Sequence, residues 1–258
     1  MGDRERFQGI SKLVSHGDFE KIQKSHVLII GLGGVGSWVA EALARSGVGK
    51  LTLVDPDSVC ISNINRQIIA LDSTVGVSKV LAAKQRILDI NPLCSVDIFE
   101  DFFCEGTINE IFKQDYDFAF DGIDRLKNKI LFLFKCIEKE IPFLISGGAG
   151  GKIDASKIRI ADLGESYRDR LLFRIRKKLR QNYSYKKGKK KMGITCIFSP
   201  EETRYPSTSG TITNSKQGLG IKKLDCHGSI GSFCPTTGVF GLMAAGYIIQ
   251  SIIDQERQ

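Results

Sequence analysis

One stretch decides the fold: residues 26–38 read HVLIIGLGGVGSW. Its apolar first half predicts a buried strand, and its glycines predict a tight turn into a helix. These glycines are Gly31, Gly33, Gly34 and Gly36. The start of such a helix presents unpaired N–H groups and a positive dipole end, which suit a phosphate. A second apolar run, 51–54, ends in Asp55, 19 residues after Gly36, where a carboxylate can bind ribose hydroxyls. The stretch therefore predicts a nucleotide site.

Predicted strands and helices alternate beyond this unit, which is typical of an α/β fold. We expect a doubly wound, mostly parallel Rossmann-like sheet, with a basic insertion and a C-terminal apolar helix. The chain is predicted to form a single domain, 1–258, with a basic helix–loop insertion at 164–192 and a crossover-type surface loop at 200–223. Ligands bind such sheets at the carboxyl ends of the strands, so the motifs found there can share one cleft.

Composition favours a cytoplasmic protein. The charged N-terminal residues lack the apolar core of a signal peptide, so none is expected. Seven cysteines are present, an odd number without any Cys-x-x-Cys pair, which favours a reducing compartment and argues against a zinc site. An uncharged run at 234–253 has the length of a membrane span. Because glycines, threonines and a proline dilute this run, we expect a core or interface helix and no stable membrane insertion.

The charge of the chain is concentrated in one segment. Residues 168–191 hold 12 Lys/Arg and a single acid, Asp169, whereas the rest of the chain is slightly acidic. The protein is thus predicted to be a mildly acidic domain that carries one strongly basic block. A solvated charged loop is the alternative interpretation of this block.

A polar loop after the second strand is the next informative stretch. Asn65, Arg66 and Gln67 offer a guanidinium and two amides to phosphates or a base, and Lys79 adds a cation at the start of the next helix. Taken alone, the triplet could also be an ordinary surface turn. Together with the glycine turn, these residues predict a triphosphate site, because a dinucleotide dehydrogenase does not need such a cluster of cations.

Two acids end a later strand. Asp121 and Asp124 follow the apolar residues 118–120 and can hold Mg²⁺ through carboxylate oxygens. Helix capping is the alternative role for Asp124. The sequence therefore favours a site for a nucleoside triphosphate with its metal.

These motifs together resemble the adenylating enzymes of the ThiF/MoeB/HesA group, which is related to ubiquitin-activating enzymes. The resemblance lies in Gly-x-Gly-Gly-x-Gly at 31–36, Asp-x-Asp-x-Val at 55–59, Asn-x-Asn-Arg-Gln at 63–67, Lys79 and Asp-x-x-Asp at 121–124. It implies ATP and Mg²⁺ as cofactors and the conversion of a carboxylate into an acyl adenylate. The candidate ATP-binding residues are Gly31, Gly33, Gly34, Gly36, Asp55, Asp57, Asn65, Arg66, Gln67, Lys79 and Asp121.

The resemblance also implies roles in catalysis. The candidate catalytic residues are Arg6, Arg66, Lys79 and Asp124, with Asp124 as the metal ligand. Arg6 matches an arginine that reaches the γ-phosphate of the partner subunit in relatives, which implies a homodimer. A monovalent cation at the glycine turn 147–151 is a further expectation, and the Cys-x-x-Cys zinc pairs of some relatives are absent here.

Within the group, the chain most resembles the branch that acts on threonylcarbamoyladenosine in tRNA, and the shared motifs lie at 6–7, 35–38, 65–68, 146–151, 196–199 and 223–226. This resemblance implies ATP-dependent ring closure of that nucleoside. The basic block then becomes a candidate tRNA surface. Its candidate contacts are Arg174, Arg176, Lys177, Lys178, Arg180, Lys186, Lys187, Lys189, Lys190 and Lys191. A sulfur-transfer (cysteine desulfurase system) protein is a further candidate partner.

Three other functions remain open from the sequence. The chain could adenylate the C-terminal glycine of a ubiquitin-like or sulfur-carrier protein, with Cys226 as a candidate nucleophile. It could be a nucleotide-sensing module without catalysis, or a nicotinamide oxidoreductase. An ordinary buried thiol is the alternative role for Cys226, and more so for Cys234.

Overall fold

The computed structural model describes residues 5–183, 185, 191–207, 210–214 and 230–255. The helices are α1 (His16–Lys24), α2 (Gly36–Arg45), α3 (Lys79–Ile90), α4 (Ile108–Ile111), α5 (Leu126–Glu138), α6 (Arg170–Asn182) and α7 (Cys234–Asp254). The strands are β1 (His26–Ile30), β2 (Lys50–Val54), β3 (Ser95–Phe99), β4 (Phe118–Asp121), β5 (Phe143–Ser146), β6 (Arg159–Asp162), β7 (Thr195–Phe198), β8 (Tyr205–Pro206) and β9 (Ile212–Thr213). Short 3-10 turns lie at Ile10–Lys12, Ile61–Asn63, Asp72–Thr74, Ala155–Lys157 and Leu163–Glu165.

Seven strands form the main sheet in the order β3-β2-β1-β4-β5-β7-β6. Every neighbouring pair is parallel except β6 and β7, which pair antiparallel at one edge. The predicted doubly wound, mostly parallel sheet is therefore confirmed. The connections change direction between β1 and β4, and a ligand site is expected at the carboxyl ends of these strands.

The core forms two layers, one on each face of the sheet. Helices α1, α2, α3 and α7 cover one face, and α4, α5 and α6 cover the other. Successive β1 residues alternate between the layers, since Ile29 packs in the first and Leu28 and Ile30 pack in the second. All five residues of β1 are buried, as expected for the centre of a sheet that is covered on both faces.

The register of the central strands aligns the predicted motifs. Ile30 pairs with Val54 on one side and with Asp121 on the other. The next residues continue this alignment, because the Gly31 N–H donates to the Val54 carbonyl and the Gly122 N–H donates to the Ile30 carbonyl, both at 2.8 Å. The glycine turn thus lies between the end of β2 and the end of β4.

The C-terminal helix α7 packs against α2. A Cβ atom added to Gly241 would stand 2.4 Å from the Trp38 Cβ, so the two helices approach too closely for a larger residue. By length and composition α7 could cross a membrane, but half of its apolar window is buried inside the protein. The helix contributes Phe240 and Ile248 to the core, which accounts for its apolar sequence.

The two predicted insertions are described only in part. The basic segment forms α6, between β6 and β7, and its residues 184 and 186–190 lie outside the described residues. The predicted surface loop at 200–223 begins with the small hairpin of β8 and β9, and positions 208–209 and 215–223 lie outside the described part.

Candidate active site

The glycine turn is shaped by close approach of the backbone. Gly31 adopts φ +88°, a conformation that L side chains rarely adopt. A Cβ atom on Gly36 would lie 1.8 Å from the Gly31 carbonyl oxygen, so no larger residue fits there. Gly33 differs, because a Cβ atom there would meet nothing within 4 Å. The turn therefore closes tightly on itself and leaves the backbone of Gly33 open on one side.

Four N–H groups at this turn are available to a ligand. Within the described residues, the N–H groups of 33–36 donate to no protein acceptor, whereas the next one, from Ser37, bonds the Gly33 carbonyl at 3.2 Å. These groups lie at the N-terminus of α2, where the helix dipole favours negative charge. The arrangement fits a phosphate group of a nucleotide.

Asp55 lies beside the turn in a network of polar contacts. Its Oδ2 accepts the Leu32 N–H at 2.7 Å and its Oδ1 accepts the Asp57 N–H at 2.9 Å. Lys79 places its Nζ 3.5 Å from Asp55 Oδ1 and 2.7 Å from Asp57 Oδ2. Burial raises the pKa of Asp55, and the charge of Lys79 opposes that rise. The predicted ribose acid and the predicted phosphate lysine are thus in contact.

The polar loop lies along the same turn. A Cβ atom on Gly34 would meet the Arg66 Cδ at 3.3 Å, so the Arg66 side chain packs against Gly34. Arg66 Nη1 donates to the Ser62 carbonyl at 2.7 Å and to Asn65 Oδ1 at 2.9 Å. Asn65 Nδ2 in turn donates to the Ser232 carbonyl at 3.0 Å. The guanidinium is thereby held against Ser62 and Asn65, while the aliphatic part of Arg66 lies against Gly34.

Gln67 is nearly fully buried, and its Oε1 has no hydrogen-bond partner within the described residues. The backbone of the loop is fixed from outside, since the Arg66 carbonyl accepts Trp38 Nε1–H at 3.0 Å and Thr237 Oγ1–H at 3.4 Å. Trp38 belongs to α2 and Thr237 to α7. Two helices therefore position the segment that carries Arg66.

Asp121 and Asp124 have different environments. Asp121 is fully buried, with Oδ2 2.8 Å from Lys129 Nζ and Oδ1 accepting the Ile123 N–H at 2.8 Å. Burial raises the pKa of Asp121, and Lys129 opposes the rise. Asp124 is exposed, and no hydrogen bond or ion pair joins its carboxylate to the residues described. Asp121 thus braces the turn that presents Asp124, and direct contact between Asp121 and a nucleotide stays a prediction.

Arg6 lies away from the glycine turn of its own chain. Its Nη1 donates to the Ile90 carbonyl at 2.8 Å, at the C-terminal end of α3. Lys79 begins the same helix beside Asp55, and a helix of this length spans roughly 17 Å. Arg6 lines a groove of about 820 Å³ with Leu81 and Arg86. Sequence spacing gave no indication of this position.

The predicted basic contacts differ in exposure. Arg174, Lys177 and Lys178 are exposed on α6, and Lys191 is exposed after it. Arg176 is half-buried and donates to the Leu163 carbonyl at 3.2 Å and to the Ser166 hydroxyl, while Arg180 is also half-buried. The remaining predicted contacts and one predicted nucleophile lie outside the described residues. They are Lys186, Lys187, Lys189, Lys190 and Cys226.

No candidate metal cluster of three or more His, Cys, Asp or Glu side chains occurs among the described residues. The described cysteines are free thiols, and Cys234 is half-buried at the start of α7. A single exposed carboxylate with open surroundings, as at Asp124, is the kind of group that holds Mg²⁺ together with ligand phosphates. Asp124 thus offers one exposed carboxylate to a metal, and Mg²⁺ ligation at this position stays a prediction.

Sequence reasoning assigned no role at this site to Trp38, Thr237, Lys129 or Asp169. Asp169 caps α6 by accepting the Leu172 N–H at 2.9 Å and also accepts the Gly148 N–H at 2.8 Å. It therefore links α6 to the glycine turn after β5. The only sequence feature that indicates the pair of Asp121 and Lys129 is their spacing of eight residues, and such a spacing of acid and lysine is too common to predict an ion pair.

The parallel sheet and the glycine turn with its open N–H groups are those of a nucleotide-binding α/β protein, and the chain belongs to the ThiF family, whose model matches residues 8–258. The tRNA threonylcarbamoyladenosine dehydratase of Escherichia coli K12 is 36% identical over 252 residues, which cover 97% of this chain and 94% of that protein. Crystal structures of E. coli TcdA in complex with ATP and with AMP superpose with a TM-score of 0.84 each, at 33% and 34% identity. Both cover 96% of this chain and 94% of the solved chain.

Proposed function

We propose that this protein is an ATP-dependent tRNA threonylcarbamoyladenosine dehydratase. The observation that carries the proposal is the cradle of free N–H groups at 33–36 beside Arg66, in a chain that matches ATP- and AMP-bound TcdA over nearly its whole length. In the reaction, the threonine carboxylate attacks the α-phosphate of ATP and pyrophosphate leaves. The neighbouring carbamoyl group then attacks the acyl carbon, AMP leaves with the carboxylate oxygen, and the ring closes with net loss of one water.

The residues of the site have separate tasks in this reaction. The N–H groups of 33–36 bind a phosphate, and Arg66 and Lys79 neutralise charge as it develops on the phosphates. Asp55 takes the ribose. A free carboxylate is a poor electrophile, whereas AMP is a good leaving group when cations already surround it. Since ring closure is intramolecular, no separate nucleophile is needed, and Cys226 has no necessary role.

Asp124 is the proposed ligand of Mg²⁺. Its carboxylate is exposed at the end of β4, next to the glycine turn, and Asp121 and Lys129 brace the turn that holds it. Mg²⁺ supplies charge neutralisation between the phosphates when it is bound. A monovalent cation at 147–151 and a sulfur-transfer partner remain expectations from the family resemblance.

Two copies of the chain are proposed to complete the site. Arg6 lies in the groove beside α3, at the far end of that helix from Lys79, so it can serve an ATP site only across an interface or after moving. Leu71 and Leu81 add exposed apolar surface along this groove. We propose a homodimer that buries this surface, in which Arg6 serves the γ-phosphate of the other copy as the family resemblance implies.

We place the protein in the cytoplasm, where ATP and tRNA are both present. Its proposed tRNA surface is the exposed side of α6, with Arg174, Lys177 and Lys178, together with the basic residues 186–191. Lys and Arg side chains that neutralise phosphates give binding that weakens steeply with salt.

The test is to incubate the protein with ATP, Mg²⁺ and tRNA that carries threonylcarbamoyladenosine, and then to weigh the nucleosides by mass spectrometry. The expected product is lighter by one water and forms together with AMP. Asp124→Asn is the matched inactive variant, because Asp124 is exposed and its loss should leave the fold intact. An unchanged nucleoside, with AMP released only when a carrier protein is added, would favour the carrier-protein reaction. ATP binding without pyrophosphate release would favour a sensing module.

A further inference from the structure

Helix α6 combines a buried apolar side with an unusually basic outer side. Leu172, Ile175 and Leu179 are fully buried and pack in the core layer that α6 shares with α4 and α5. The same helix carries six Lys/Arg and no acid. A basic amphipathic helix can lie on a membrane through its apolar side. Here that side is already used in the core, so the outer side is what remains for a partner.

Phe173 interrupts the basic outer side. Its side chain is 57% exposed, although its neighbours on the helix are charged. Arg170 and Lys177 stand three residues before and four residues after Phe173, so both lie next to it on the helix surface. The Arg176 guanidinium carbon lies 5.9 Å from the ring centroid. An exposed aromatic ring with cations around it combines an element for base stacking with elements for phosphate binding.

The N-terminus of α6 is fixed at the ATP side of the sheet. The buried Asp169 carboxylate caps the helix and binds the Gly148 N–H in the turn after β5. Strand β5 pairs with β4, whose end carries Asp124. Gly147 packs directly against this carboxylate, because a Cβ atom at position 147 would lie 2.3 Å from Asp169 Oδ2. The outer side of α6 therefore starts at the sheet edge that holds the nucleotide site.

We propose that the outer side of α6 docks single-stranded RNA, with Phe173 stacked against an unpaired base and Arg170, Arg174 and Lys177 bound to the flanking phosphates. The inference rests on the proposed function, in which the modified adenosine lies next to the anticodon, and anticodon loops present unpaired bases. It goes beyond charge attraction, because stacking requires a base that is not inside a helix. Phe173 thus gives the surface a preference for loops over duplexes.

The experiment measures the affinity of the full-length protein for two RNA probes over a range of salt concentrations. One probe is the anticodon stem-loop of a tRNA that carries threonylcarbamoyladenosine, and the other is a blunt RNA duplex with the same number of phosphates. The variants are Phe173→Leu, which keeps apolar bulk, Phe173→Tyr, which keeps the aromatic ring, and Arg174→Gln. Lys139→Gln is the matched control, since Lys139 is exposed at the end of α5.

Phe173→Leu is expected to weaken stem-loop binding by about 5- to 100-fold and to leave duplex binding and the salt dependence unchanged. Phe173→Tyr should bind the stem-loop like the wild type. Arg174→Gln should weaken binding of both probes and lower the slope of log affinity against log salt by about one, whereas Lys139→Gln should change neither. A thermal melt confirms that the variants remain folded, as expected for changes at exposed positions.

The inference is overturned if Phe173→Leu binds the stem-loop like the wild type, or if it weakens duplex binding equally. Binding to phosphatidylserine vesicles is measured alongside, and loss of vesicle binding by Phe173→Leu with unchanged stem-loop binding would overturn the inference and make α6 a membrane surface. Failure of the proposed function has a different signature, because RNA would then bind with the expected loop preference but the modified nucleoside would keep its mass.

Discussion

Among the charged residues around the candidate site, loss of the Lys129 ammonium should cause the largest drop in the free energy of unfolding. Lys129 is 1% exposed and Asp121 is 0% exposed, with 2.8 Å between Nζ and Oδ2. Lys129→Met keeps most of the side-chain volume and leaves the Asp121 carboxylate buried without its counterion. Breaking a buried pair in this way costs about 3–5 kcal/mol in the free energy of unfolding. For a chain of this size, the melting temperature should fall by on the order of 10 °C.

The pH dependence of this loss gives a second, independent check. Burial raises the pKa of Asp121, and Lys129 opposes the rise, so Lys129→Met moves the pKa further upward. A carboxyl group with a raised folded-state pKa binds more protons folded than unfolded, and its penalty therefore grows as pH rises. The stability deficit of Lys129→Met should therefore shrink as the pH falls toward the ordinary titration range of an aspartate, by at most about 1.4 kcal/mol per pH unit.

Urea unfolding of four proteins tests the argument: wild type, Lys129→Met, Asp121→Asn and the double variant. Asn at 121 can still accept the Ile123 N–H, so the double variant removes both charges and keeps the turn. It should be more stable than the sum of the single losses predicts, by about 2 kcal/mol or more. Lys127→Met is the control, because Lys127 is 79% exposed and its pair with Glu105 should contribute about 1 kcal/mol or less. Additive losses, or a deficit that does not change with pH, would refute the reasoning.

Three further predictions concern other parts of the fold. Gly36→Ala should abolish ATP binding measured by calorimetry and lower the melting temperature, because its Cβ would lie 1.8 Å from the Gly31 carbonyl oxygen. Asp124→Asn should slow AMP formation on the order of 100-fold without changing the urea midpoint, since the side chain is exposed; an unchanged rate would remove Asp124 from the mechanism. Burial lowers the pKa of His26 from 6.5 to about 4, so wild-type stability should fall by at most about 3 kcal/mol as pH drops through that window. His26→Gln should flatten this part of the unfolding profile, and equal slopes in the two proteins would contradict it.

The parts of the site that follow strand ends were predictable from sequence. Gly36, Asp55 and Asp124 each come directly after an apolar run or within a few residues of it, and parallel strands bring such positions to one edge. Gly36 carries the strongest signal, because only glycine tolerates the approach to Gly31. Local pattern and sheet topology suffice for these positions.

Other parts depend on contacts between distant segments and leave no local signal. Trp38 and Thr237 both bond the Arg66 carbonyl, and 171 residues separate Arg66 from Thr237. Arg6 bonds the carbonyl of Ile90, 84 residues away. Such pairings are decided by how α2, α3 and α7 pack, and that packing is set by shape across the whole core. The exposure of Phe173 is likewise invisible in a helix whose other large apolar residues are mostly buried.

Asp169 is another residue whose role depends on contacts between separate segments. One buried carboxylate holds both the Leu172 N–H at the start of α6 and the Gly148 N–H in the turn after β5. Because each oxygen accepts from a different element, Asp169 ties the start of α6 to the turn after β5, and β5 pairs with β4. RNA bound to the outer side of α6 would therefore sit on a helix that is connected through Asp169 to the sheet edge proposed to bind the nucleotide. This connection favours a mechanism in which the protein positions the tRNA substrate and ATP next to each other for the reaction.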